Sequence, residues 1–375
     1  MLNDLNKLDY RHSFSDEEQA RIMQEIAAEA NFRAEKEVYR EQAWDPKRVK
    51  AVTFTGKLDA GSRFERSADL KVQFIKPEVE EAEIIRASQA LGVGRRKIDD
   101  PQDGISEIKS EVGLPQIYLS KTWEEKTSYG YLATPPYSQW PPLFAPGLGT
   151  KEARQKFVDF YGQYHYYYCT QAWLPVDQEA KTAEQWVMDR VKKRWYAGCV
   201  KKGRLDPADY EGYYERFNSR LIVRLYLSGL PLVWGNRHLT GWDIRLNPQP
   251  KVDTPKYVIT KNLFWSYLPQ WYDLVFPIWH NLTQYPLGWS TEYAKADISA
   301  WLKSFEENTL TKFSAGVRSK KTFFLLLAER MLGAILADDG MDARFDAPEK
   351  AAELKYYLNL HQEVFDWAMK NFVSL

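Results

Sequence analysis

Residues 322–337 carry the sequence TFFLLLAERMLGAILA, which is the best candidate in the chain for a membrane-spanning segment. A helix needs about 20 apolar residues to cross a bilayer. This stretch is shorter, and Glu329 and Arg330 stand at its middle. Charged side chains at the centre of an apolar helix are costly in lipid. We therefore predict a buried helix here and no transmembrane span.

Helical patterns also surround this stretch. Thr150 is a suitable helix cap, and Gly229 is a suitable helix stop. Further helices are predicted over about Thr150 to Thr170, Gln178 to Val200, Pro207 to Gly229 and Pro348 to Phe372. Seven of the 14 Trp lie between Pro231 and Trp301. Pro269 and Pro277 are expected to divide this aromatic region into short helices, because proline interrupts a helix.

The N-terminal part of the chain combines a predicted helix that has a narrow apolar stripe with two strand-like stretches. Ser15 and Glu18 form a capping box for a helix that reaches about Ala43 and carries a narrow apolar stripe. Such a helix is typical of an arm on a partner surface or of half of a coiled coil. The alternative is a solvated helix packed on its own domain. The stretches 49–55 and 70–74 alternate at period two and predict an antiparallel strand pair.

A helix is predicted from Pro77 through Leu91. The segment from Tyr129 to Gly149 then mixes five prolines with aromatic residues. It cannot form a regular helix, and it is too aromatic for a disordered linker. We expect an extended segment that presses its aromatic side chains into a surface of this chain or of another one.

The predicted fold is therefore mainly α, with an N-terminal helical arm, a small antiparallel strand pair and a long extended Pro/aromatic segment. The predicted domains are an arm over 1–46, the strand pair plus helix over 47–95, the extended docking segment over 96–149 and a helical, aromatic-rich domain over 150–375.

Charge and cysteine content narrow the classes of function. The chain has 51 basic and 51 acidic residues, so no overall field draws it to nucleic acid or to an anionic membrane. Its two cysteines, Cys169 and Cys199, form no CxxC pair, which favours a reducing, intracellular location. The first 20 residues lack the pattern of a signal peptide and of a transit peptide.

Motif searches give no catalytic, cofactor-binding or metal-binding residue. The five histidines show no zinc-site spacing. His165 and Cys169 are four residues apart, which suits a packed structural pair better than a metal site. The stretch from Pro146 to Lys151 is glycine-rich but lacks the P-loop pattern, and we interpret it as an ordinary helix start.

A basic segment is the first candidate site. Seven cations without an acid lie between positions 190 and 204, interleaved with aromatic residues, which suits RNA or anionic lipid headgroups. The alternative is a solvated helix face. The candidate residues of this basic patch are Arg190, Lys192, Lys193, Arg194, Trp195, Lys201, Lys202 and Arg204.

Aromatic residues form the second candidate site, a protein–protein interface. Aromatic residues make up 15% of the chain, and large aromatic side chains suit both cores and interfaces. The candidate interface residues are Tyr131, Tyr137, Trp140, Phe144, Trp265, Trp271 and Trp279.

In composition over its whole length, the chain resembles the soluble, aromatic-rich accessory subunits of mitochondrial inner-membrane complexes, such as the enlarged ATP synthases and respiratory complexes of some protists. The resemblance implies a non-catalytic structural subunit, with other subunits and anionic phospholipid headgroups as partners. It also implies a membrane-associated place on the matrix side of mitochondria, with the cytoplasm as the alternative.

Two other functions stay open at the sequence level. One is a helical enzyme with a pocket lined by the aromatic region, for which His238, Asp243, Asp273 and His280 are the first candidates. The other is an RNA-binding component of an organellar ribosome, which rests on the basic patch. The balanced net charge argues against nucleic acid as a partner.

Overall fold

The computed structural model describes part of the chain. The described residues are 17, 21, 63–65, 71–75, 85, 98–100, 104–106, 111–115, 117, 119–124, 129–134, 137, 140–143, 151–169, 182–196, 207–218, 221–250, 255–262, 265–283, 287–308, 317–337 and 350–375.

Eight α-helices have bounds in the described ranges. They are α1 (Lys151–Tyr164), α2 (Ala183–Asp189), α3 (Pro207–Asn218), α4 (Leu221–Ser228), α5 (Tyr272–Leu282), α6 (Thr291–Glu307), α7 (Val317–Ala337) and α8 (Ala351–Ser374). Two of them continue as π-helical turns: α1 into His165–Cys169 and α2 into Arg190–Trp195.

The strands are β1 (Arg63–Glu65), β2 (Lys71–Ile75), β3 (Ile98–Asp100), β4 (Gly104–Ser106), β5 (Val112–Gly113), β6 (Leu119–Glu124), β7 (Tyr129–Thr134), β8 (Leu232–Asn236), β9 (Ile244–Leu246), β10 (Tyr257–Ile259) and β11 (Trp265–Pro269). They form sheets with the orders β1-β2-β7-β6, β5-β10-β9, β11-β8 and β3-β4. The β8–β11 pair is antiparallel, with Trp265 opposite Asn236 and Leu268 opposite Val233.

The chain divides into two compact units. The first comprises Met1–Lys109, Gly113–Pro141 and Arg245–Leu263, and the second comprises Ser110–Val112, Pro142–Ile244 and Phe264–Leu375. The eight helices, β8 and β11 belong to the second unit. The four-stranded sheet belongs to the first.

The core of the second unit is built around α7. Every residue from Thr322 to Leu336 is buried, and α7 packs against α8, α5, α3 and the π-helical turn after α2. The prediction of a buried helix over 322–337 is confirmed. Within the described ranges, no helix is long and apolar enough to cross a membrane.

The mainly helical class and the small sheets are also confirmed. Helices α1, α3 and α8 lie where the sequence predicts them, and β2 confirms the second of the two predicted strands. Capping explains the start of α2, because the Thr182 hydroxyl accepts from the Gln185 amide and the Gln185 side chain accepts from the Thr182 amide.

Two expectations for the aromatic region are wrong. Residues between 231 and 269 form strands rather than short helices, since β-branched and aromatic side chains suit a pleated, half-buried surface. Pro277 lies inside α5. An interior proline costs about 3 kcal/mol or more, but α5 is buried along nearly its whole length, and this packing outweighs that cost.

Several predictions fall largely outside the described residues. Of the N-terminal arm, Glu17 and Arg21 are described, and both are helical. The stretch 49–55 and most of 77–91 lie outside, and the part of 144–150 that would continue the extended segment does too. The boundaries of the four predicted domains stay a prediction.

Candidate active site

At the end of β8, three segments of the second unit lie close together, namely β8 itself, α1 and α5. Gly235 has no side chain, and a Cβ there would lie 3.1 Å from the Tyr164 hydroxyl and 3.2 Å from Oδ2 of Asp273. The Asp273 carboxylate is fully buried, and its Oδ1 accepts a 2.7 Å hydrogen bond from the Tyr161 hydroxyl. Glycine at 235 therefore lets a tyrosine and a buried carboxylate reach the end of the strand.

Asn236 turns the chain out of β8. Its amide donates to the Tyr164 hydroxyl at 2.7 Å. Its side-chain Oδ1 accepts from the amide of His238 at 2.9 Å. This is an Asx-type turn, in which a side chain replaces a backbone acceptor. Because Asn236 is fully buried, the loop over residues 237–243 begins at a fixed point.

The far end of the loop is closed by a second turn. The Asp243 amide donates to the Thr240 carbonyl at 3.1 Å, and the Thr240 hydroxyl donates to Oδ2 of Asp243 at 2.6 Å. The carbonyl of Gly241 accepts from the Leu143 amide at 3.0 Å. The Asp243 carboxylate is thus oriented by its own turn.

These two turns bring His238 and Asp243 together. Nδ1 of His238 lies 3.9 Å from Oδ2 of Asp243, with 26% and 16% of the two side chains exposed. Nδ1 itself is shielded from solvent, so the exposed part of the imidazole is elsewhere on the ring. The ring packs on Phe276, with centroids 3.9 Å apart. A histidine with one nitrogen toward a carboxylate and the rest of its ring partly open is suited to proton transfer.

The other two enzyme candidates have different positions. Asp273 is fully buried, and its carboxylate accepts from the Tyr161 hydroxyl, so it does not face solvent. His280 stacks on Phe276 with centroids 6.1 Å apart. It lies on α5, outside the loop. The structure therefore brings His238 and Asp243 close together, whereas Asp273 and His280 are not part of this pair.

The basic patch is partly interior. The Trp195 side chain is 1% exposed, and its indole donates to Oε1 of Glu329 at 2.8 Å. Nε of Arg190 donates to the same oxygen at 2.9 Å. Trp195 is a core residue and Arg190 is largely buried beside it, while Lys192 is exposed; binding of RNA or lipid by this segment stays a prediction. The side chains of Lys193 and Arg194, and all of Lys201, Lys202 and Arg204, lie outside the described part.

Most described members of the candidate interface are core residues. Tyr137 is 9% exposed, Trp265 and Trp271 are 4% exposed, and Trp279 is 5% exposed. Trp271 stacks on His165 with centroids 4.6 Å apart. These four residues pack inside this chain, and the interface itself stays a prediction. Trp140 is half-buried, and the Tyr131 side chain and Phe144 lie outside the described residues.

Sequence reasoning missed the residues that build the loop's base. Tyr164, Gly235 and Asn236 match no motif, and Tyr164 is 72 residues from Asn236 along the chain. The glycine after a strand-like Leu232–Trp234 run was the one local signal of a close approach. Among the residues that the structure describes, no group of three or more His, Cys, Asp or Glu could hold a metal ion.

No protein-family model and no curated sequence matches the chain. Solved structures do resemble it. One is the GDP complex of aminoglycoside 2'-phosphotransferase-IIIa, with 13% identity, coverage of 85% of this chain and 92% of that one, and a TM-score of 0.46. An aminoglycoside phosphotransferase from Alicyclobacillus acidocaldarius has 11% identity, coverage of 84% and 90%, and a TM-score of 0.44. The amicoumacin kinase hAmiN has 14% identity, coverage of 92% and 96%, and a TM-score of 0.47.

These similarities are with enzymes, and they contradict the resemblance to accessory subunits of mitochondrial complexes. The expectations of a non-enzyme and of partner subunits in a large assembly are likewise wrong. The physical reason lies in the aromatic residues. Composition cannot distinguish a core from an interface, and Trp265, Trp271 and Trp279 are buried in the chain's own interior.

Proposed function

We propose that the chain is an enzyme in which His238 and Asp243 form an acid–base pair. The observation that carries this proposal is the 3.9 Å approach of His238 Nδ1 to Asp243 Oδ2 in a loop closed by turns at both ends. That distance is longer than a hydrogen bond. Catalytic contacts are often long in the absence of substrate and tighten when it binds.

The arrangement suits deprotonation of a hydroxyl group. The open part of the imidazole accepts the proton of the attacking hydroxyl, and the Asp243 carboxylate stabilises the imidazolium that results. The Thr240 hydroxyl holds Oδ2 of Asp243 at 2.6 Å. Phe276 covers one side of the His238 ring and fixes its plane. The reaction class is transfer of a group to a hydroxyl-bearing acceptor. The acceptor oxygen forms the new bond, the bond between the group and its donor breaks, and the rest of the donor leaves with that electron pair.

The first donors to assay are nucleoside triphosphates. The names of the similar structures are those of phosphotransferases and a kinase, and phosphoryl transfer to a hydroxyl needs the proton acceptor that His238 offers. The proposal itself rests on the loop geometry.

The test compares two histidines on the same aromatic ring. The full chain is incubated with radiolabelled ATP or GTP and a panel of small hydroxyl-bearing acceptors, and the labelled product is counted. We expect His238→Gln to lower kcat by roughly a hundredfold or more, the usual contribution of a general base. Asp243→Asn should lower it by a smaller factor, since the shape stays and the charge is lost.

His280→Gln is the matched control, because His280 also stacks on Phe276 but lies outside the loop. It should keep kcat close to that of the unsubstituted chain. Full turnover by the His238→Gln variant, or an equal loss in the His280→Gln variant, contradicts the proposal.

Two finer predictions from the sequence remain proposals. The first is that 1–46 forms a helical arm. It is supported by the capping box at Ser15. The second is an intracellular location, in mitochondria or the cytoplasm. It is supported by the two cysteines, which form no CxxC pair. Fractionation of cells that carry a tagged full chain tests the second.

A further inference from the structure

We propose that Tyr164 is a positioning residue whose hydroxyl sets the place of the His238 ring through Asn236. The inference rests on the proposed role of His238 and names the group that orients it. Tyr164 touches neither His238 nor a reacting atom in this scheme. It acts through the backbone on which the loop stands.

The first step is the contact between Tyr164 and the strand end. The Tyr164 hydroxyl accepts the Asn236 amide at 2.7 Å, and both residues are fully buried. A buried amide that loses its acceptor carries a desolvation penalty. The backbone at Asn236 is therefore held to the hydroxyl, and any shift of the phenol ring is passed to the strand end.

The second step runs from Asn236 to His238. The Asn236 side chain accepts the His238 amide at 2.9 Å. Asn236 thus forms a hydrogen bond to Tyr164 through its backbone amide and one to His238 through its side chain. These two hydrogen bonds connect α1 to the candidate base, and neither involves a flexible, exposed group.

The third step is the rigidity of Tyr164 itself. Its ring packs against Phe160, Tyr161, Tyr168 and Trp265, with centroids 5.6 to 5.9 Å apart. Gly235 allows the hydroxyl its place, because a Cβ there would lie 3.1 Å from it. An aromatic cluster of this kind has few alternative rotamers, so the hydroxyl is a fixed reference point for the loop.

The chain offers a matched pair of substitutions. Tyr168 lies four residues after Tyr164 in the same helical segment and is 3% exposed, and its hydroxyl donates to the Val112 carbonyl at 3.2 Å. Tyr164→Phe and Tyr168→Phe each remove one buried, hydrogen-bonded hydroxyl and no other atom. General loss of packing or stability affects both, whereas a shift of His238 belongs to Tyr164 alone.

The primary readout does not depend on activity. The His238 ring lies 3.9 Å from the Phe276 ring centroid, so its ring protons feel the aromatic ring current, which changes steeply with distance. The chain has five histidines, and His238→Gln assigns the His238 signals in a proton–carbon NMR spectrum of histidine-labelled protein. We expect these signals to move in Tyr164→Phe and to stay in Tyr168→Phe.

Gly235→Ala provides a second variant, because the added Cβ presses on the Tyr164 hydroxyl and on Oδ2 of Asp273. It should shift the same signals. In the phosphoryl-transfer assay, Tyr164→Phe should lower kcat roughly threefold to tenfold with KM unchanged, the scale of one hydrogen bond.

His238 signals that stay in place in both Tyr164→Phe and Gly235→Ala overturn the inference, as does an equal shift in Tyr168→Phe. The proposed function fails by a different result, namely unchanged turnover in His238→Gln. The two failures are therefore distinguishable in one set of variants.

Discussion

Arg190 lies in a cage of aromatic rings at the start of the π-helical turn that follows α2. Its guanidinium carbon is 4.7 Å from the ring centroids of Trp186 and Trp195 and 5.3 Å from that of Tyr272. It ion-pairs with the fully buried Glu329 and donates from Nη2 to the Tyr272 hydroxyl at 2.8 Å. The charge is thus paired and hydrogen-bonded, which is the condition for burying it.

Tyr272 gives this cluster a pH dependence. Burial raises the pKa of Tyr272 to about 12, and the nearby Arg190 opposes the rise. In the unfolded chain the pKa is 10.0. Between these values the native state holds a proton that the unfolded state has released, so the free energy of unfolding falls as pH rises. Below the lower value both states are protonated, and Tyr272 contributes no slope.

We therefore expect urea denaturation at a series of alkaline pH values to show a steeper loss of stability in the unsubstituted chain than in Tyr272→Phe. The difference should approach one proton and about 1.4 kcal/mol per pH unit. Other tyrosines are present in both proteins and cancel in the comparison. Parallel curves for the two proteins above pH 10 would rule out a buried, protonated Tyr272.

At the scale of elements, α7 is the helix that the rest of the second unit covers. Successive side chains of a helix point in different directions, so the two central charges of α7 have different neighbours. Glu329 reaches Arg190 and Trp195, whereas the Arg330 guanidinium lies 3.6 Å from the ring centroid of Trp279. Two neighbouring charges of one buried helix thus have different main contacts, an ion pair for Glu329 and an aromatic ring for Arg330.

Gly333 permits the closest packing on α7. A Cβ at this position would lie 2.6 Å from Cε2 and 2.7 Å from Cη2 of Trp195, and real side chains do not approach so closely. Alanine ordinarily stabilises a helix by up to about 1 kcal/mol relative to glycine. Here we expect Gly333→Ala to destabilise the chain by about 1–3 kcal/mol, because a buried indole must move.

Gly212 in α3 is the matched position for this prediction, since a Cβ there would meet nothing within 4 Å. Gly212→Ala should raise the midpoint of chemical denaturation while Gly333→Ala lowers it. A rise for both would mean that Trp195 does not pack on α7.

At the scale of the whole molecule, five of the ten tryptophans that the structure describes in the second unit are buried. Trp195 and Trp301 are 1% exposed, and Trp265, Trp271 and Trp279 are between 4% and 5% exposed. Trp242, in the loop between β8 and β9, is 48% exposed. Composition alone attributes these tryptophans to partner surfaces, whereas the structure buries the five named first in the core.

This distribution predicts the response of the native fluorescence to iodide, a quencher that reaches exposed indoles. Trp242→Phe should reduce the iodide-quenchable fraction of the emission. Trp301→Phe should reduce the total intensity without reducing that fraction. The two variants differ in burial and share the same chemical change. An equal fall of the quenchable fraction in both would contradict the burial described for Trp301.

The local sequence predicts some elements of this fold. The length of the apolar run at 322–337 and its two central charges predict a buried helix, because both properties are contained within one segment. Helix starts at Thr150 and Pro207 and the strand at 70–74 also follow from capping and periodicity. His238 and Asp243 could be named as candidates because they are polar residues in an aromatic region.

The remaining features depend on contacts between distant segments. Residues 231–269 contain apolar and aromatic runs that fit a helix or a strand, and the β8–β11 pairing decides between them. Arg190 and Glu329 are 139 residues apart. Local periodicity therefore does not show that this cation pairs with a buried carboxylate. The base of the candidate site joins Tyr164 to Asn236 across 72 residues. The sequence by itself determined which segments are apolar and helical, and only the tertiary structure decided which charges are paired inside and which histidine faces a carboxylate.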